Sequence, residues 1–185
     1  MNNKNTATLF IFTALECEAK ALISYFDLKK DIHHKAFSIY RNSETVLTVT
    51  GIGKVAMAGA VAYTMAVFAK TSLPVIVNIG IAGHKSKQIG SLVSAAKIID
   101  ADSNRTFYPQ RLKDNWPGSC DIKTLSKPSS SYSNDSLIDM EASAFYEMAI
   151  RFSSSELIHC LKIISDNEKS PVDKIGPKLV DEWIT

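Results

Sequence analysis

Three apolar runs constrain this chain most: "TLFIFTAL" (8–15), "LPVIVNIG" (73–80) and "LIHCLKIIS" (157–165). Each reads as a strand ending in a polar or glycine turn. The segments between them have helical spacing instead. In "ECEAKALISYF" the residues Ala19, Leu22, Ile23 and Phe26 mark one helix face. A second helix is predicted over 54–69, a third from near Met140 with Phe145, Met148, Ala149 and Phe152 on one stripe, and a short fourth around "PKLVDEWI". "AFSIY" and "ETVLTVT" flank "RNS" and predict a hairpin, and "SLVSAAKIID" (91–100) predicts a further strand. Residues 101–136 read as polar and irregular, with "NWPGS" and "KPSSSYSND" as loop signals and "DIKTL" resembling a strand. Strands alternating with helices imply an α/β fold, a three-layer sandwich around a mostly parallel or mixed central sheet. The 185 residues suffice for one domain with a sizeable core, and no internal repeat divides them.

Composition narrows the partners. The chain is 45% hydrophobic and 22% charged, as in ordinary soluble proteins. Its net charge of +2 is spread along the sequence and gives no nucleic-acid footprint. The N-terminal "MNNKNTATLFIFTALE" has too short an apolar run and too early an acid for a signal peptide. The longest apolar stretch, "VAMAGAVAYTMAVFA" (55–69), falls short of the roughly 20 residues of a membrane span. Cys17, Cys120 and Cys160 form neither a metal pattern nor an even disulfide set. The expectation is a cytoplasmic protein bound to neither membrane nor nucleic acid. Helix 54–69 is apolar nearly all round, which calls for burial on both sides and predicts a homodimer.

The polar residues that stand out share one location. Glu18 follows the first strand, Gly51 to Lys54 the second hairpin strand, and Gly80 to His84 the run 73–80. Met140 and Glu141 follow "SLID", and Ser165 and Asp166 follow "LKII". Open α/β sheets bind ligands outside the carboxyl ends of their strands, so these loops converge on one crevice. It holds three carboxylates, Glu18, Glu141 and Asp166. Glu141 is the odd one, because it lies on the stripe that should be buried. Asp139 already suits the N-cap, so capping does not account for Glu141.

Other motifs carry less. "GIGKVA" matches a relaxed dinucleotide fingerprint through Gly51, Gly53 and Ala56, but follows a hairpin strand. Glycines for a tight strand-to-helix turn are the better local reading, and a dehydrogenase is a distant alternative. The P-loop pattern is absent. His33 and His34 are expected in solvent, and Ser129 to Ser131 are loop serines without a nucleophile-elbow context. No HExxH or CxxC pattern suggests a metal, and no cofactor is expected.

The ordered set "ALECEA", "TGIGKVAMAGA", "VNIGIAGH", "LIDMEASAFYEMA" and "KIISDN" resembles the nucleoside phosphorylase and nucleosidase superfamily. It is most similar to the methylthioadenosine/S-adenosylhomocysteine nucleosidase branch. The resemblance covers 7–100 and 136–168 and implies a single nucleoside phosphorylase-like domain over 1–185. It implies that Glu141 binds the ribose hydroxyls and that Met140 packs on the ribose. Asp166, positioned by Ser165, would donate to the purine N7, and Glu18 would activate water. The segment Gly80, Ile81, Ala82 and Gly83 would line the nucleoside, its glycines admitting close approach of backbone.

Those roles fit glycosidic chemistry. Breaking an N-glycosidic bond builds positive charge on the sugar, and the purine leaves once its N7 is neutralised. One carboxylate takes the proton of the attacking water, as in inverting glycoside hydrolysis. Phosphorylases of the superfamily bring arginines to a phosphate, whereas here the corresponding position resembles Asn78 and the first loop carries Glu16 and Glu18. The expected function is therefore hydrolysis of a purine, adenine-type nucleoside, with a phosphate-using phosphorylase and a non-catalytic nucleoside-binding relative as alternatives. The chain departs from the family in its short 100–136 region, where Tyr132 alone offers a base-stacking aromatic. Ile81 stands for a serine, His84 for a glycine and Asp139 for a glutamate.

Overall fold

The computed structural model describes residues 7–70, 73–110, 118–129, 131–132, 136–170 and 176–184. Its elements run β1 (Leu9–Thr13), α1 (Glu16–Tyr25), β2 (Lys29–Lys30), β3 (Ser38–Arg41), β4 (Thr45–Val49), α2 (Lys54–Phe68) and β5 (Val75–Gly83). They continue with β6 (Leu92–Asp100), β7 (Thr106–Phe107), β8 (Ser119–Thr124), β9 (Ser136–Asp139), α3 (Ala142–Ala149), β10 (Ile158–Asp166) and α4 (Pro177–Ile184).

All the strands join one mixed sheet. β5 lies between β1 and β10 and is parallel to both, while β1 also pairs with β4 in parallel. β3 and β4 form the expected antiparallel hairpin. β10 pairs with β6 antiparallel, β6 with β8 and β8 with β9 in parallel. A single pairing of Gly83 with Ile138 then returns from β9 to β5 and closes β5, β10, β6, β8 and β9 into a ring.

Alternation along β1 shows why the sheet is covered on both faces. Phe10 and Phe12 enter a core with Met57, Val61 and Met65 of α2 and with Ala142, Phe145 and Ala149 of α3. Ile11 turns the other way, to Ala19, Leu28 and Leu47 under α1. Helices α2 and α3 pack together on the first face, and α1 and α4 on the second. These are the three layers.

Several local expectations shift. The segment "IAG" after Gly80 is strand, because Ile81 and Ala82 stay paired with Ile163 and Ile164. α3 begins at Ala142 and ends at Ala149, with Phe152 in the turn beyond. The strand expected at "DIKTL" starts earlier, at Ser119, and β7 adds a short pairing in the region expected to be irregular. His33 is exposed, but His34 is half-buried. Its Nδ1 lies 3.1 Å from Asp31 Oδ1 and its ring meets Phe68 edge-on. Much of "NWPGS" and parts of "KPSSSYSND" lie outside the described residues. No helix among the described residues is long and apolar enough to cross a membrane.

Candidate active site

The site forms where β1, β5, β9 and β10 end. Glu18 sits in the first turn of α1 and is buried. Its Oε2 accepts the Ala14 and Leu15 N–H groups at 2.7 and 2.9 Å, and its Oε1 accepts the Ile81 N–H at 3.0 Å. Burial pushes its carboxyl up, opposed by the Leu15 N–H and then by the Lys162 ammonium. A carboxyl raised toward neutrality is better matched to taking a proton from water. Glu16, expected beside it, does not join the site: it is exposed and accepts the Tyr40 hydroxyl at 3.2 Å. Residues two apart in a helix face different ways.

Glu141 occupies the residue before α3 and is buried. Its Oε1 accepts the Gly53 N–H at 2.7 Å. Gly53 has φ +98°, a conformation that L side chains rarely adopt, and this turn carries the chain from β4 into α2 with its N–H toward Glu141. Burial raises the Glu141 carboxyl, Lys162 lowers it, and Asp139 raises it again. The N-cap work falls to Asp139, whose Oδ2 accepts the Ala142 N–H at 2.8 Å. Met140, half-buried, lies between them.

Lys162 also lines this candidate site, though its strand pattern does not single it out. It stands on β10 in line with Ile158, Cys160 and Ile164, all buried in the α2–α3 core, and is itself 1% exposed. Its Nζ lies 3.0 Å from Asp139 Oδ2. Burial pulls its ammonium down, but Asp139, Cys160 and Glu141 more than compensate and hold it above the usual lysine range. The signal was available: in a strand of period two, a lysine at an inward position demands a buried counter-charge. A Cβ on Gly80 would stand 3.2 Å from Glu18 Oε1 and 3.4 Å from Lys162 Nζ, so these charged ends meet over bare backbone.

Asp166 arrives by a bulge. The β5–β10 register slips between Ile164 and Asp166, which leaves Ser165 unpaired and re-aims the aspartate. Ser165 Oγ donates to Asp166 Oδ1 at 2.5 Å. Asp166 Oδ2 lies 2.6 Å from where a Gly83 Cβ would be, and Tyr132 Cε1 lies 3.0 Å from the same point. The carboxylate and an aromatic edge thus share the Gly83 surface. His84 caps the following loop, its Nδ1 accepting the Ser86 and Lys87 N–H groups at 3.1 Å.

Asn78 serves the sheet rather than a ligand. Its Nδ2 donates to the Phe12 carbonyl at 3.1 Å, and its Oδ1 accepts from Cys160 Sγ at 3.4 Å. Among the described residues no group of three or more His, Cys, Asp or Glu is placed to hold a metal ion. Of the predicted residues, Glu18 meets Gly80 and Ile81, Asp166 with Ser165 meets Gly83, and Glu141 meets the Gly53 turn. Lys162 and Asp139 lie with Glu18 and Glu141, and Met140 is placed only by its position between Asp139 and Glu141.

This arrangement of strands matches solved nucleosidases. A 5′-methylthioadenosine/S-adenosylhomocysteine nucleosidase from Colwellia psychrerythraea, in complex with adenine, aligns with a TM-score of 0.72. That alignment covers 97% of this chain and 88% of that one at 19% identity. The chain has the nucleosidase fold. The corresponding nucleosidase from S. pneumoniae, bound to a transition-state inhibitor, gives 0.69 at 18% identity over 95% of this chain and 91% of that one. A futalosine hydrolase from Helicobacter pylori gives 0.70 at 13% identity over 97% and 96%. No family profile matches the sequence, and no curated protein does. The kinship is therefore one of fold, and in this nucleosidase fold the clustered carboxylates carry the functional reading.

Proposed function

We propose that the protein is a nucleosidase that hydrolyses the N-glycosidic bond of an adenine-type purine nucleoside, such as methylthioadenosine or S-adenosylhomocysteine. The observation that carries this reading is that Glu18 and Asp166 meet the backbone of Gly80 to Gly83, with Glu141 buried close enough to feel Glu18 and Lys162. In it Glu141, anchored by the Gly53 N–H, accepts the ribose hydroxyls, and Met140 packs on the sugar. Asp166, held by Ser165, donates its proton to the purine N7 as the bond to C1′ breaks. The water oxygen bonds C1′ and its proton passes to Glu18. Charge developing on the sugar is favoured by the surrounding carboxylates, with Lys162 balancing part of their repulsion. The Tyr132 ring edge beside Asp166 supports an aromatic partner for the base.

Water is preferred to phosphate as nucleophile because Asn78 is spent within the sheet and the buried carboxylate of Glu18 stands at the start of α1, where it would repel an anion. The nearby cation, Lys162, is already paired with Asp139. The proposal extends to a homodimer through the α2 neighbourhood, supported by the exposed Ile52 and Val55. A purine nucleoside panel with and without phosphate tests the activity. Free base and free sugar, formed at a rate independent of phosphate, are expected. Ribose 1-phosphate would establish the phosphorylase instead, and binding without turnover the non-catalytic relative.

A further inference from the structure

Lys54 is the first residue of α2, and that turn holds no acidic residue. A cation there opposes the helix dipole, so local helix energetics do not explain it. Its side chain is four-fifths buried, with Nζ 2.9 Å from Asp100 Oδ2 and 2.5 Å from Asp102 Oδ2. Asp100 closes β6, and its other oxygen accepts the Asp102 and Ser103 N–H groups at 3.1 and 2.9 Å. Asp100 Oδ2 also accepts Ser143 Oγ from α3 at 2.7 Å. Ser143 N–H donates to Thr124 Oγ1 at 3.0 Å, and Thr124 donates to Asp139 Oδ1 at 2.7 Å. Asp139 holds Lys162, and the residue before Lys54 is Gly53, whose N–H is on Glu141. Asp139 Oδ2 also accepts the Glu141 N–H at 3.4 Å, so the polar contacts make a closed circuit around the N-terminus of α3.

We propose that Lys54 is a positioning residue: its ion pairs to Asp100 and Asp102 fix the start of α2 so that the Gly53 N–H stays on the Glu141 carboxylate. Gly53 has no side chain to hold the turn, and the turn is joined to α2 through Lys54. Freed from the aspartates, the turn would relax and Glu141 would lose the donor that orients it for the sugar. This inference rests on Glu141 as the ribose-binding group.

The test compares Lys54→Met, Lys54→Arg and Asp102→Asn with the parent protein. It reads the Glu141 carboxyl titration by carbon-13 NMR, the Gly53 amide shift, and kinetics on methylthioadenosine. Glu18, Asp139 and Lys162 also face Glu141, and all three are unchanged in these variants. Lys54→Met is expected to raise the Glu141 midpoint by roughly half a pH unit or more, since a hydrogen bond to the charged form is lost. KM should rise about 3–10-fold, as for one lost hydrogen bond, with kcat changed less, and Lys54→Arg should restore both. Asp102→Asn separates position from charge: it keeps the ammonium but loosens it. A positional effect then raises the Glu141 midpoint, whereas a direct field from Lys54 would lower it. An unmoved Glu141 titration and Gly53 amide in Lys54→Met, or a lowered midpoint in Asp102→Asn, would overturn the proposal. Should the parent protein turn over no nucleoside, the proposed function fails while the titration still decides the role of Lys54.

Discussion

Lys162 and Asp139 form an ion pair of 3.0 Å in which neither side chain reaches solvent. Asp139 also caps α3 and holds Thr124 at 2.7 Å, so one carboxylate ties β10, α3 and β8 together. Around the pair lie Glu18 and Glu141, whose carboxyls burial already pushes up. The ammonium thus keeps a crowd of acids tolerable.

Lys162→Met should destabilise the fold strongly, because breaking a buried pair by removing one partner costs about 3–5 kcal/mol. The loss should also depend on pH. Carboxyls whose folded pKa is raised contribute stability below the unfolded value and lose it as pH rises through the folded one. Removing Lys162 raises the Glu18 and Glu141 values further, so the deficit should be larger at pH 8 than at pH 5. Urea unfolding at the two pH values measures it, and an equal deficit at both would contradict the electrostatic account.

Glu141→Gln and Glu18→Gln should fail differently. In the proposed mechanism the first removes the charge that would meet sugar hydroxyls, and a charged hydrogen bond is worth about 1.5–3 kcal/mol. Nucleoside affinity should fall accordingly. Glu18→Gln should abolish turnover while ligand still binds. Calorimetry with substrate analogues separates the two, and equal affinity losses would refute the division of labour.

Gly83→Ala should disturb Asp166 without unfolding the sheet. Its new methyl would stand 2.6 Å from Asp166 Oδ2 and 3.0 Å from the Tyr132 ring, so one of them must move. Turnover is expected to drop at least tenfold, with urea unfolding changed by less than about 3 kcal/mol, the usual upper cost of overpacking. Parent-like turnover would mean that neither group needs its observed place.

Much of this site was legible because strand ends gather what the sequence scatters. Asp166 ends, and Glu18 closely follows, a strand whose apolar run is plain, and Glu141 follows the shorter "SLID"; the sheet brings these ends together. Two features resisted reading. Lys162 lies in a strand whose apolar residues already satisfy the core pattern, and its partner Asp139 reads locally as a helix cap. Gly80 and Gly83 locally signal a turn, so the sequence predicts a loop where the strand runs from Ile81 to Gly83. Pairing with β10 overrides that preference. Glu16 and Glu18 were alike in sequence until helix register turned one outward.

A homodimer is expected from α2. Met57, Ala60, Val61 and Met65 fill the core, but Val55 is 89% and Ile52 59% exposed beside the Glu141 turn. These two side chains carry the apolar stripe of α2 to the surface, where a second copy of the chain would cover them. Light scattering at micromolar concentration should give twice the chain mass, and Val55→Asp should give a monomer. A parent protein that scatters as a monomer would remove the idea.

Asp166→Asn is the sharpest test of the chemistry. The bulge at Ser165 exists in a strand otherwise regularly paired from Ile158 to Ile164, and its effect is to set one carboxylate against Gly83. An amide in that place still accepts from Ser165 Oγ and still donates a hydrogen bond, so fold and binding should survive. It cannot give up a proton to N7. Turnover of a purine nucleoside should therefore fall about 10²–10⁴-fold, the range for a lost general acid. The defect should shrink for nitrophenyl ribosides, whose leaving group departs without protonation. Ser165→Ala should fall in between, since it removes the hydroxyl that orients Asp166 but leaves the acid. Near-parent activity of Asp166→Asn on a natural purine nucleoside would sink this mechanism even though the fold stands.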